Sequence, residues 1–198
     1  MRHARWLLPL VGGVVLCGCQ SPPASRAQVV SYATLRDLPT RQTERARDLN
    51  RRAVELVRAG DVDSAETLLK EALTADVAFG PAHNNLGKVY FHQRRFYLAA
   101  WEFRYAMGLM PGEAEPKNNL GLVYEVVGKL DDAVDTYAEA NALQPDSPDY
   151  LGNLARARVR RGDRDEQVRR LLSDLLLKET RPDWVERAQM ELVRMDRE

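Results

Sequence analysis

Two stretches of this 198-residue chain overlay on each other when one is slid by 34 positions. In one stretch Leu86, Gly87, Tyr90, Ala99, Phe103, Ala106 and Pro111 appear in order. In the other, Leu120, Gly121, Tyr124, Ala133, Tyr137, Ala140 and Pro145 take the matching places. Seven landmarks kept at one fixed offset are not a chance arrangement. The same register extends to weaker copies on either side. Leu49, Ala53, Leu56, Ala65, Leu69 and Ala72 lie upstream, and Leu151, Leu154, Ala155 and Leu171 lie downstream. Gly60, Gly128 and Gly162 occupy one internal turn, where a helix ending in a left-handed residue favours glycine. The second copy carries Arg94 at that turn, at a cost on the order of 1 kcal/mol if the backbone is left-handed. Small residues at 53, 87, 121 and 155 thin the first helix of each copy where the second crosses it. Pro111 and Pro145 stop the second helices.

A 34-residue period with this Leu-Gly, Tyr, Ala, aromatic, Ala, Pro order resembles the tetratricopeptide repeat, a helix-turn-helix unit. The resemblance implies an all-α, right-handed solenoid of about four hairpins over residues 41–181. It also implies a binding surface rather than a catalyst. The spacing predicts helices at about 41–59, 63–76, 81–93, 96–110, 114–127, 130–143, 148–161 and 164–178. In the fourth copy Arg158, Gln167 and Asp174 replace landmark residues, as befits a terminal repeat facing water on one side. Residues 182–198 read as a capping helix. Trp184, Val185, Ala188, Leu192 and Met195 make its apolar face, and Thr180-Arg181-Pro182-Asp183 has the form of a capping box.

The first forty residues read as an address. A basic start (Arg2, His3, Arg5), an apolar run over 7–16 and a small-residue end form a signal peptide over 1–18. The run is shorter than the roughly 20 residues a membrane span needs. Leu16-Cys17-Gly18-Cys19 resembles the bacterial lipobox, which implies lipidation of Cys19 as the first mature residue. An ordinary signal peptide with two cysteines is the alternative. Gln20 follows the cysteine and is not acidic, which by the same resemblance favours the outer membrane, facing the periplasm. Residues 19–40, with Pro22, Pro23 and Pro39, then form a tether. No cysteine follows Cys19, so no disulfide framework supports the fold.

Lys and Arg number 29, as do Asp and Glu; losing Arg2 and Arg5 with the signal leaves a net charge of −2. That balance disfavours nucleic acid as the partner. Arg156, Arg158, Arg160, Arg161 and Arg164 are a local cluster that winds around a helix and reads as solvated surface, with a docking site for an acidic segment or lipid headgroups as the alternative. His83 and His92 stand nine residues apart, too far to share a metal. No phosphate-cradling loop or nucleophile elbow is present, and Asp61, Asp63, Asp131 and Asp132 are explained as helix starts. The chain thus reads as a non-enzyme without cofactor.

Asparagine supplies the candidate site. Asn85, Asn119 and Asn153 recur every 34 residues, with Asn84 and Asn118 before the first two and Asn50 at the Asn84 place of the first copy. The ladder resembles that of the O-linked N-acetylglucosamine transferase superhelix, which implies amides gripping a peptide backbone in the concave groove. Packing between helices is the equal alternative. Lys88 and Arg156 add a partial basic clamp. The partner-binding set is therefore Asn50, Asn84, Asn85, Lys88, Asn118, Asn119, Asn153 and Arg156. The expected function is a membrane-anchored scaffold holding a protein or peptide segment and assisting assembly of an envelope complex, as the plan resembles pilotin lipoproteins of type IV pili. An adaptor that regulates a cell-wall hydrolase or protease is the alternative.

Overall fold

The computed structural model describes residues 41–197. Nine helices follow one another with no strand among the described residues: α1 Thr43–Ala59, α2 Val62–Ala75, α3 Gly80–His92, α4 Phe96–Leu109, α5 Ala114–Val126, α6 Leu130–Leu143, α7 Pro148–Arg161, α8 Glu166–Lys178 and α9 Pro182–Met195. Every boundary of α1 to α8 falls within two residues of the one that the repeat register predicts, and α9 ends three residues before the expected 198.

Side-chain N-caps start α2, α7 and α8. Ser64 N donates to Asp61 Oδ1 at 3.1 Å, and Val168 N donates to Asp165 Oδ1 at 2.9 Å. Three hairpin turns use glycine in the left-handed region, Gly60 (φ 87°), Gly128 (φ 79°) and Gly162 (φ 103°). The second hairpin uses Arg94 at φ 60°, so the strain read from the sequence is present. The capping box expected at Thr180 is not formed. Arg181 is the N-cap of α9 and Pro182 opens the helix, which leaves Thr180 one residue too early. Glu179 Oε1 instead accepts from the backbone N–H groups of Thr180 and Arg181, each at 2.9 Å.

Within each hairpin the crossing point is matched in size. A Cβ on Gly87 would lie 2.6 Å from the Phe103 ring, and one on Gly121 would lie 2.6 Å from the Tyr137 ring. Where the facing residue is leucine (Leu69 and Leu171), the first helix carries Ala53 and Ala155 instead. Both alanines, Phe103 and Tyr137 are buried. A flat ring laid against backbone needs the missing methyl, and an aliphatic side chain does not.

First helices touch the first helices of adjoining repeats: α1 with α3, α3 with α5, and α5 with α7. The second helices share no comparable contact. The first helices therefore form the closer-packed inner wall, and the second helices form the outer one. At the end of the stack, α9 packs Ala188 and Met195 on Leu151, Leu172 and Leu175, covering the last hairpin.

Candidate partner-binding groove

The inner wall is built from the faces of α1, α3, α5 and α7 that also hold these helices together. Asn85 Nδ2 donates to Asn50 Oδ1 at 2.8 Å, Asn119 Nδ2 to Asn84 Oδ1 at 3.0 Å, and Asn153 Nδ2 to Asn118 Oδ1 at 2.8 Å. Each bond joins an asparagine to one in the repeat before it. Asn84, Asn118, Asn119 and Asn153 are buried, and Asn50 and Asn85 are half-buried. The ladder is thus a seam between repeats, with its amides bonded to each other. These contacts spend one group of each amide on the neighbouring repeat.

Lys88 reaches across the wall to Glu115 at 2.6 Å, an exposed pair that contributes little to stability. Arg156 is engaged more tightly. Its Nε and Nη2 donate to Glu125 Oε1 and Oε2 at 2.9 and 2.8 Å. Arg160 adds a third bond to Glu125 at 2.7 Å, and the Tyr137 hydroxyl a fourth at 2.9 Å. Burial opposes ionisation of Glu125, but the bonds from Arg156 and Arg160 outweigh it and hold the carboxyl down to about 2. Burial, then the Glu125 charge, pushes the Tyr137 phenol well above its usual range.

The arginine cluster of the fourth repeat is not a free basic patch. Arg158 and Arg161 pair with Asp163, and Arg161 also reaches Asp131. Arg164 Nη1 donates to the carbonyls of Val159 and Asp163. His83 is buried on α3, its Nε2 donating to Val77 O at 2.8 Å and its Nδ1 lying 2.6 Å from Glu102 Oε2.

Hollows open along the first helices and where the cap meets them. One, of about 250 Å³, lies between α1 and α3 and is lined by Val54, Val57, Arg58, Lys88 and His92 among others. Another, of about 210 Å³, lies among α7, α8 and α9. Its floor is Ala155, Leu172 and Leu175, and Trp184 walls it. The Trp184 ring rests on Gly152, where a Cβ would lie only 2.3 Å from it. Arg156 and Arg181 stand over the same ring, 5.3 and 4.9 Å from its centroid. Arg187 and Glu191 complete the rim, and Glu191 Oε2 is shielded from water without a hydrogen-bond partner. The sequence reading missed this hollow and the Tyr137–Glu125–Arg160 cluster. Gly152, a small residue one helical turn before Arg156 on the inner face, was the available signal for the hollow.

The sequence matches the tetratricopeptide repeat family over residues 50–113 and 118–183. The chain belongs to that family. No curated protein matches it significantly. Among solved structures, Pseudomonas aeruginosa PilF superposes with a TM-score of 0.67 at 20% identity, covering 78% of this chain and 68% of that one. A Thermobaculum terrenum O-GlcNAc transferase gives 0.66 at 27% identity over 72% of this chain, which spans only 28% of the transferase. The first tetratricopeptide domain of Spaghetti (RPAP3), solved with the HSP90 peptide SRMEEVD, gives 0.59 at 18% identity, covering 61% of this chain and 96% of that one. These likenesses describe the fold of the tetratricopeptide repeat segment. Cys19 and the tether lie outside the described residues.

Proposed function

We propose that this chain is a lipid-anchored scaffold of the bacterial envelope whose inner wall holds an extended segment of a partner protein and so assists assembly of an envelope complex. The observation that carries the reading is the pair of apolar hollows bordered by cations, Arg58 and Lys88 at one end and Arg156, Arg160 and Arg187 at the other. Such hollows suit a segment with two apolar anchor side chains and acidic residues beside them. The unpaired Glu191 Oε2 suits a backbone N–H of the same segment. The HSP90 peptide bound by RPAP3 is acidic and ends in an aliphatic residue followed by Asp, a segment of this kind. Anchoring rests on the lipobox-like Leu16-Cys17-Gly18-Cys19 alone.

Photo-crosslinking amino acids placed at Val57 and at Met190 test the groove in the full chain in cells. One partner should be trapped from both positions and not from exposed Leu177 on α8. Trapping at neither inner position would refute the groove. Cys19→Ser separately tests the anchor: the protein should leave the membrane fraction, and retention there would reject lipidation.

A further inference from the structure

The outer wall carries one face unlike its neighbours. On α4, Tyr97, Trp101, Tyr105 and Leu109 follow at four-residue steps, and they are 79, 60, 46 and 36% exposed. Four-residue steps put them on one side of the helix, in a stripe about 18 Å long. Core packing does not explain it, because Ala99, Phe103 and Ala106 already supply the buried face of α4. The stripe is also held in place. The Tyr105 ring lies tilted against that of His83, their centroids 4.7 Å apart, and His83 is fixed by Glu102 and by the Val77 carbonyl. Val77, whose carbonyl His83 holds, is itself 63% exposed.

The repeat register shows what the same face presents elsewhere. Moving back 34 residues turns Tyr97, Trp101 and Tyr105 into Asp63, Thr67 and Glu71 on α2. Moving forward 34 turns them into Asp131, Asp135 and Glu139 on α6. Helix α6 carries four carboxylates and no cation, and α2 carries three carboxylates against one lysine. Arg161 meets Asp131 and Lys117 meets Glu139. Asp63, Asp135 and Glu71 meet no cation through their side chains among the described residues. Arg104 is the one exposed cation of α4. The aromatic stripe is thus flanked on both sides by acidic outer helices.

We propose that this stripe is a second docking surface, separate from the groove, for a cationic amphipathic helix of a partner protein. An apolar face on that helix would cover Tyr97, Trp101 and Tyr105, and lysines or arginines on its two edges would meet α2 and α6. Electrostatic complementarity of this kind selects partners as well as binding them. The flanking charges argue against two other occupants. An anionic bilayer would repel both acidic helices. A second copy laid on the stripe about a two-fold axis would set acid against acid.

The test uses the full chain and a fluorescent synthetic 18-residue helical peptide with a leucine stripe edged by lysines. It should bind, and a peptide with glutamates in place of the lysines should not. Trp101→Ser and Tyr97→Ser, both at exposed positions, should each keep the helical circular dichroism and weaken binding by about tenfold or more. Asp63→Lys with Asp135→Lys should weaken it and flatten its salt dependence. Failure of the lysine peptide to bind the native chain, or equal binding by the Trp101 and Tyr97 variants, would overturn the proposal. So would flotation with phosphatidylglycerol vesicles, or a dimer in sedimentation, that Trp101→Ser abolishes. Val57→Arg in the groove should leave the peptide affinity unchanged.

Discussion

The Tyr137 hydroxyl donates to Glu125 Oε2 at 2.9 Å, linking the most buried aromatic of the third hairpin to the carboxylate that two arginines of the fourth hairpin hold. Core packing and the lining of the inner wall meet in that one bond. Glu125 joins hairpins as the asparagine seam does, but through charge.

Acid should unfasten this joint. Glu125 ionises at about 2 when folded, against 4.5 for an ordinary glutamate. Above about pH 4.5 its contribution to stability is fully present; as pH falls towards about 2 the unfolded chain takes up the proton first, and the contribution is lost. Glu125→Gln should cost about 2 kcal/mol near pH 6 and much less near pH 3. Urea unfolding of both proteins across that range measures the difference, and a constant penalty would contradict it.

Gly121→Ala should lower stability by about 1–3 kcal/mol, since the added methyl meets the Tyr137 ring against backbone that cannot retreat. Pairing it with Tyr137→Leu recreates the Ala155–Leu171 type of crossing. The double variant should therefore lose less than its two single variants together. Thermal unfolding of the set reads this directly.

Arg94→Gly should raise stability by about 1 kcal/mol, because only the second hairpin makes its left-handed turn with a side chain. The gain should appear as a higher denaturant midpoint with unchanged slope.

The seam predicts coupling between Asn118 and Asn153. Each alanine substitution alone leaves a buried amide without its partner and should cost about 1–3 kcal/mol. The double variant should cost less than the sum, with a coupling of about 1 kcal/mol in a double-mutant cycle. Strict additivity would show that the two side chains do not support each other.

The helices were legible because a 34-residue period fixes turns and crossings together, and Gly87 and Gly121 revealed their close approaches through spacing alone. The asparagines were legible as a row but not in their use. Periodicity says which residues share a face, and it does not say whether an amide points into the groove or along it to the next repeat. Arg156 was singled out for its charge, yet its partner Glu125 lies one hairpin back, a pairing that only the stacked structure reveals. Tyr97 and Trp101 escaped notice because aromatic residues on a helix rich in apolar side chains read as core. Comparison with Asp63 and Asp131 in register separates them from it. Thr180 failed as a cap because a one-residue shift of the helix start removes the geometry that the motif assumes.

The size matching at the crossings makes each hairpin a lock with its own key. Exchanging a single helix between repeats would set alanine against a ring or leave a gap beside leucine, while a whole hairpin carries its fit with it. Lengthening or shortening such a chain by complete 34-residue modules is therefore the mild change, and splicing inside a module is the harsh one.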